Sequence, residues 1–152
     1  VSDAGYYLLE REACEAAGVA LEDFRVFSRK PPPPETIHGA AQLFGRIEYP
    51  AMMHCKSGAD RAGFMAVLYR HFRLGMPVSE ALSELSLRAG HIPAGKTGIL
   101  DHFFHTYLAD VADHPMPLLE WVDKRYDPVR MKATFQTRWW GTLLSERLLN
   151  RE

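Results

Sequence analysis

The chain has 152 residues, 47% of them apolar and 24% charged, with a formal net charge of −1. This is enough chain to bury a core in a single domain, 1–152, and the balance excludes a disordered or fibrous protein. A charge near zero implies no nucleic-acid partner, although the segment from Lys124 onward carries +4 and the rest −5. The two cysteines, Cys14 and Cys55, give no disulfide framework and no zinc spacing. No run of about 18 apolar residues could span a bilayer, and the start of the chain shows no leader pattern. A reducing, cytoplasmic setting is the expectation.

In chain order, "YYLLEREACEAAG" predicts a helix from Tyr6 to Ala17 stopped by Gly18, with Cys14 as core filler. "DFRVFS" (23–28) reads as a short strand. The prolines at 31–34 force an extended loop that hands over to a helix at Glu35–Arg46. "YPAMMHC" (49–55) reads as a second strand. From Ala62 the spacing of Phe64, Met65, Val67, Leu68 and Phe72 is helical, and Gly75 ends it. "PVSEALSELSLRAG" predicts another helix, stopped by Gly90. Thr97 is the expected N-cap of a helix to Ala109, and further helices are expected at 117–125, 128–136 and 138–150. The last is amphipathic around Trp139, Trp140, Leu143 and Leu144 among basic residues; its stripe reads as core, with membrane contact the less favoured alternative.

The chemistry concentrates in residues 54–63, "HCKSGADRAG". A thiol at the mouth of a glycine-containing loop, between strand and helix, sits where backbone N–H groups and a helix dipole can hold an anion. Gly58 permits the left-handed backbone such a loop needs, and the field there lowers a thiol pKa. Arg61 adds a planar fork suited to paired phosphoryl oxygens. Nucleophile, cradle and clamp fall within seven residues.

This stretch resembles the His-Cys-x5-Arg signature of the cysteine-dependent protein tyrosine phosphatase superfamily, most of all its compact dual-specificity-like bacterial members. The stretch from about residue 49 to 105, with "GHIPAGKTGILDHFF", is also similar to bacterial relatives. The resemblance implies an α/β fold: a central, mostly parallel sheet flanked by helices, helix-rich in its C-terminal half. It implies phosphate monoester hydrolysis through a cysteinyl-phosphate, with Cys55 as nucleophile, Arg61 as clamp, His54 tuning the cysteine, and Lys56, Ser57, Gly58 and Ala59 forming the cradle. No metal or cofactor is called for, and the partner is a phosphorylated substrate: a phosphoprotein, a phosphoinositide or a small phosphoester. Because Cys55 lies a third of the way along, N-terminal strands of that sheet are expected to be missing from this chain, or to be supplied by a partner.

Two positions depart from the family's pattern. Ala62 stands where a Ser or Thr usually helps the thiolate leave. The upstream stretch "RVFSRKPPPPE" lacks the aspartate that would protonate the leaving group, so Asp60 inside the loop, placed much as in myotubularin lipid phosphatases, is the candidate general acid. His91 and Lys96, with Thr97 and Gly98, form a second candidate cluster that resembles a loop bacterial relatives carry beside the pocket, where Lys96 would add positive charge for an anionic substrate. The competing class is a catalytically weak module that binds a phosphorylated partner with the same cradle. A rhodanese-like sulfur carrier would need a loop of different length and pattern.

Overall fold

The chain is described here by a computed structural model over residues 5–93 and 95–137. Helices stand where the apolar spacing puts them: α1 Gly5–Ala17, α2 Pro34–Arg46, α3 Asp60–Phe72, α4 Val78–Ala81, α5 Ile99–Asp110 and α6 Leu118–Lys124, followed by α7 over 128–137. Gly18 and Gly75 take positive φ beyond the ends of α1 and α3, as their stop roles require. The proline run ends as expected. Pro33 is extended (φ −67°, ψ 151°), Pro34 opens α2, and Ile37, Ala40, Leu43 and Phe44 line its buried stripe.

No strand occurs among the described residues, so the expected central parallel sheet is absent and the α/β fold class is corrected to an all-helical one. The two stretches read as strands are extended but unpaired; among the described residues neither 23–28 nor 49–55 makes backbone-to-backbone hydrogen bonds. The first keeps a strand's alternation, with Phe24 and Val26 turned toward the core and Arg25 and Phe27 outward. It packs side-on against α2, where a Cβ on Gly39 would lie 3.2 Å from the Phe24 ring. In the second, Met52 is 89% exposed and residues 49–54 all face solvent. An alternating or apolar pattern marks a strand only where a neighbour takes up the ladder bonds.

Three smaller expectations are also corrected. The helix expected over 77–89 breaks after α4 into short 3-10 turns at Leu82–Glu84 and Leu87–Ala89, because Leu85 leaves helical geometry (φ −91°, ψ 75°) to bury its side chain. Thr97 is not an N-cap: it lies inside a 3-10 turn, Lys96–Gly98, and Gly98 precedes α5 without a side-chain cap. That turn is tight because Gly98 packs on residue 93, where a Cβ would fall 1.9 Å from the Pro93 carbonyl oxygen. Cys14 is half-buried at most, since α1 buries no residue at all. The helix expected at 138–150, with its tryptophan stripe, lies outside the described residues.

The core joins α2, α3, α5 and α6. Phe64 of α3 meets Phe103 and Phe104 of α5 edge-on or tilted, and Phe103 in turn meets Trp121 at 5.5 Å and Tyr126 at 5.1 Å between ring centres. Tyr126 donates to the Pro32 carbonyl at 2.8 Å, tying the end of α6 to the start of α2. No helix among the described residues is long and apolar enough to cross a membrane.

Candidate functional site

The site begins where the exposed stretch 49–54 runs into α3. Four residues, Lys56 to Ala59, turn the chain, and Gly58 takes φ +70° there. Nothing crowds a Cβ at Gly58, so the backbone angle and not space requires glycine. Ala59 is buried and caps α3 without a side-chain bond, leaving the first N–H groups of the helix to find other acceptors. One acceptor is the sulfur of Cys55. Burial pushes the Cys55 thiol up, but hydrogen bonds from the backbone N–H groups of Ser57, Ala62 and Gly58, with the Arg61 guanidinium, outweigh it and hold the thiol below its ordinary value.

Cys55 opens onto a cleft of about 500 Å³ lined by Tyr6, Glu10, His54, Lys56 and Arg61 besides itself. Among the described residues neither Arg61 nor Lys56 makes an ion pair, so both cations are available to an anionic ligand. His54 turns its Nε2 to Glu10 Oε1 of α1 at 2.5 Å, so its observed partner is that carboxylate. Ala62 carries no hydroxyl, yet its N–H is among the donors that hold the Cys55 thiol below its ordinary value.

Asp60 and His91, kept in separate candidate groups by sequence reasoning, are brought together. His91 is fully buried and its Nδ1 meets Asp60 Oδ1 at 2.6 Å, while its Nε2 bonds Asp101 Oδ2 of α5. Asp60 keeps its side chain one quarter exposed and does not line the cleft with Cys55. Lys96 is exposed and likewise does not line the cleft.

Two residues of the site escaped sequence reasoning. Asp101 had a signal: a carboxylate set among Ile99, Leu100, Phe103 and Phe104, all buried, must have a partner. Glu10 had none, for it is one of several charges on an exposed helix. Among the described residues no group of three His, Cys, Asp or Glu side chains converges to hold a metal ion; in the Asp60–His91–Asp101 row the ring separates the two carboxylates. Comparison with family models, curated proteins and solved structures finds no match to this chain.

Proposed function

We propose that this chain hydrolyses a phosphate monoester through a cysteinyl-phosphate on Cys55. The observation that carries the reading is the set of backbone N–H groups of Ser57, Gly58 and Ala62 on the Cys55 sulfur, with Arg61 beside it without an ion pair among the described residues. Donors that stabilise a thiolate also suit the oxygens of a phosphoryl group carried on that sulfur. The resemblance of residues 54–63 to the cysteine phosphatase signature supports the same chemistry, and a helical fold does not oppose it, because function belongs to the site.

In the proposed reaction the Cys55 thiolate attacks phosphorus, forming the S–P bond as the P–O bond to the substrate alcohol breaks. Asp60 gives its proton to the departing oxygen. Water then attacks phosphorus, the S–P bond breaks, the thiolate is restored, and the proton lost by water returns to Asp60. Arg61 grips two phosphoryl oxygens throughout, and Lys56, Ser57, Gly58 and Ala59 form the cradle. Lys96, exposed near the start of α5, is proposed to attract the anionic substrate, which is a phosphoprotein, a phosphoinositide or a small phosphoester. Since the nucleophile works only as a reduced thiolate, the cytoplasm is the proposed setting.

The test is turnover of a panel of phosphoesters by wild type and Cys55→Ser, with mass spectrometry for trapped phosphoenzyme. Turnover lost in Cys55→Ser, with an 80 Da adduct on the wild-type cysteine peptide (roughly one phosphoryl group), is expected. A second reading, a weakly catalytic module that binds a phosphorylated partner, is favoured by the absent hydroxyl at Ala62 and by the commitment of Asp60 Oδ1 to His91. Phosphate binding without turnover in wild type would select it.

A further inference from the structure

A histidine with no exposed surface needs a reason for the polar ring it buries. His91 has carboxylates at both nitrogens, Asp60 from the first turn of α3 and Asp101 from the first turn of α5. Each contact needs a hydrogen between nitrogen and oxygen, so both ring nitrogens are satisfied by partners on two different helices.

The placement of His91 is equally specific. It follows Gly90, whose left-handed φ of 77° ends the preceding 3-10 turn, and its own N–H closes on the Ser86 carbonyl at 3.1 Å. A Cβ on Gly90 would meet the Ala59 Cβ at 3.5 Å, so this turn lies directly against the loop. The imidazole meets this segment at Asp60, the residue where loop becomes helix, and neither His91 nor Asp60 lines the Cys55 cleft.

We propose that His91, backed by Asp101, is a positioning residue for the anion loop. It grips Asp60 from behind and so keeps the Ser57, Gly58 and Ala62 N–H groups aimed at the Cys55 sulfur. The inference rests on the proposed reading of Cys55 and adds the element that holds the cradle in shape. Two carboxylates on one imidazole give this grip a geometry that a single hydrogen bond lacks, because the ring is fixed at both ends. The titratable and charged groups that share the cleft with the Cys55 sulfur are Arg61, Lys56, His54, Glu10 and Tyr6, and none of them touches His91.

The test follows the rate of Cys55 alkylation by iodoacetamide against pH in the intact chain, with inorganic phosphate as protecting ligand. Wild type should titrate below the free-thiol value of about 8.5. His91→Gly should move the midpoint upward by about one unit, which is a tenfold loss of alkylation rate on the acid limb. It should also weaken protection by phosphate, and free imidazole, filling the vacated space, should restore both. Asp101→Asn should give a smaller upward shift that imidazole does not correct. A folded His91→Gly protein with the wild-type profile would overturn the inference and leave the Cys55 reading standing. An ordinary thiol titration in wild type would overturn both. Should His91→Gly not fold, Asp101→Asn decides alone: an unshifted midpoint overturns the inference.

Discussion

Arg61 matters to the proposed reaction as a fork. It lines the Cys55 cleft and makes no ion pair among the described residues, and a guanidinium can meet two phosphoryl oxygens where an ammonium meets one. Arg61→Lys should lose most of the turnover, approaching the loss in Arg61→Ala; near-normal kcat with lysine would show that charge alone suffices. Asp60 would be subject to two demands in the proposed reaction, since Oδ1 meets His91 and the proposed acid role would fall to the other oxygen. Asp60→Asn should slow phenyl phosphate by about 10² more than 2,4-dinitrophenyl phosphate, whose leaving group departs without a proton. Equal losses on the two esters would leave Asp60 as the loop's anchor only. At this scale the sequence was most informative where residues lie close in the chain. Cys55, Gly58 and Arg61 can be read together because seven residues hold them, whereas the pairings of His91 with Asp60 and of His54 with Glu10 join residues far apart in the chain and depend on tertiary packing.

At the scale of elements, α3 carries both part of the candidate site and part of the core, and its one glycine shows how the two are joined. Gly63 is buried, and a Cβ there would lie 3.0 Å from the Glu84 carbonyl oxygen and 3.2 Å from Leu85 Cδ2. In an exposed helix, alanine in place of glycine stabilises by about 1 kcal/mol. Here that gain meets an overpacking cost of about 1–3 kcal/mol, because backbone is the obstacle. Gly63→Ala should therefore lower the urea midpoint, and a higher midpoint would show that the 82–85 turn yields easily. The helices were legible because a single helix displays its own periodicity: α2 and α3 run within two residues of their expected limits. The strands were not, because a strand is defined by its neighbour. Phe24 and Val26 alternate correctly and still find no partner strand among the described residues, and the sheet expected around them came from the resemblance of residues 54–63, not from any pattern in 23–28.

For the molecule as a whole, stability rests on the aromatic group that α3, α5 and α6 share. Phe103 is fully buried and meets Phe64, Phe104, Trp121 and Tyr126. Phe103→Ala should cost about 3–5 kcal/mol, a large share of a total of about 5–15 kcal/mol for an ordinary domain. Chemical denaturation with fluorescence and circular dichroism as parallel probes checks this; a loss below about 1 kcal/mol would mean the neighbouring rings close the gap. The exposed polar pairs contribute far less. Arg46 and Glu22 meet through two 2.7 Å bonds, yet with both side chains largely in water their removal should hardly move the same curve.

α1 stands apart from that shared core. It buries none of its residues, and its side chains reach the rest of the chain through Tyr7 on Asp23 and Glu10 on His54. Its amides should therefore exchange with deuterium through a local opening of small free energy, while those of α3 and α5 wait for events close to global unfolding. The wall of the cleft that carries Tyr6 and Glu10 would then come and go on a faster clock than the floor that carries Cys55. A ligand bridging floor and wall would show itself first as slowed exchange in residues 5–17, before any change is visible in the helices beneath.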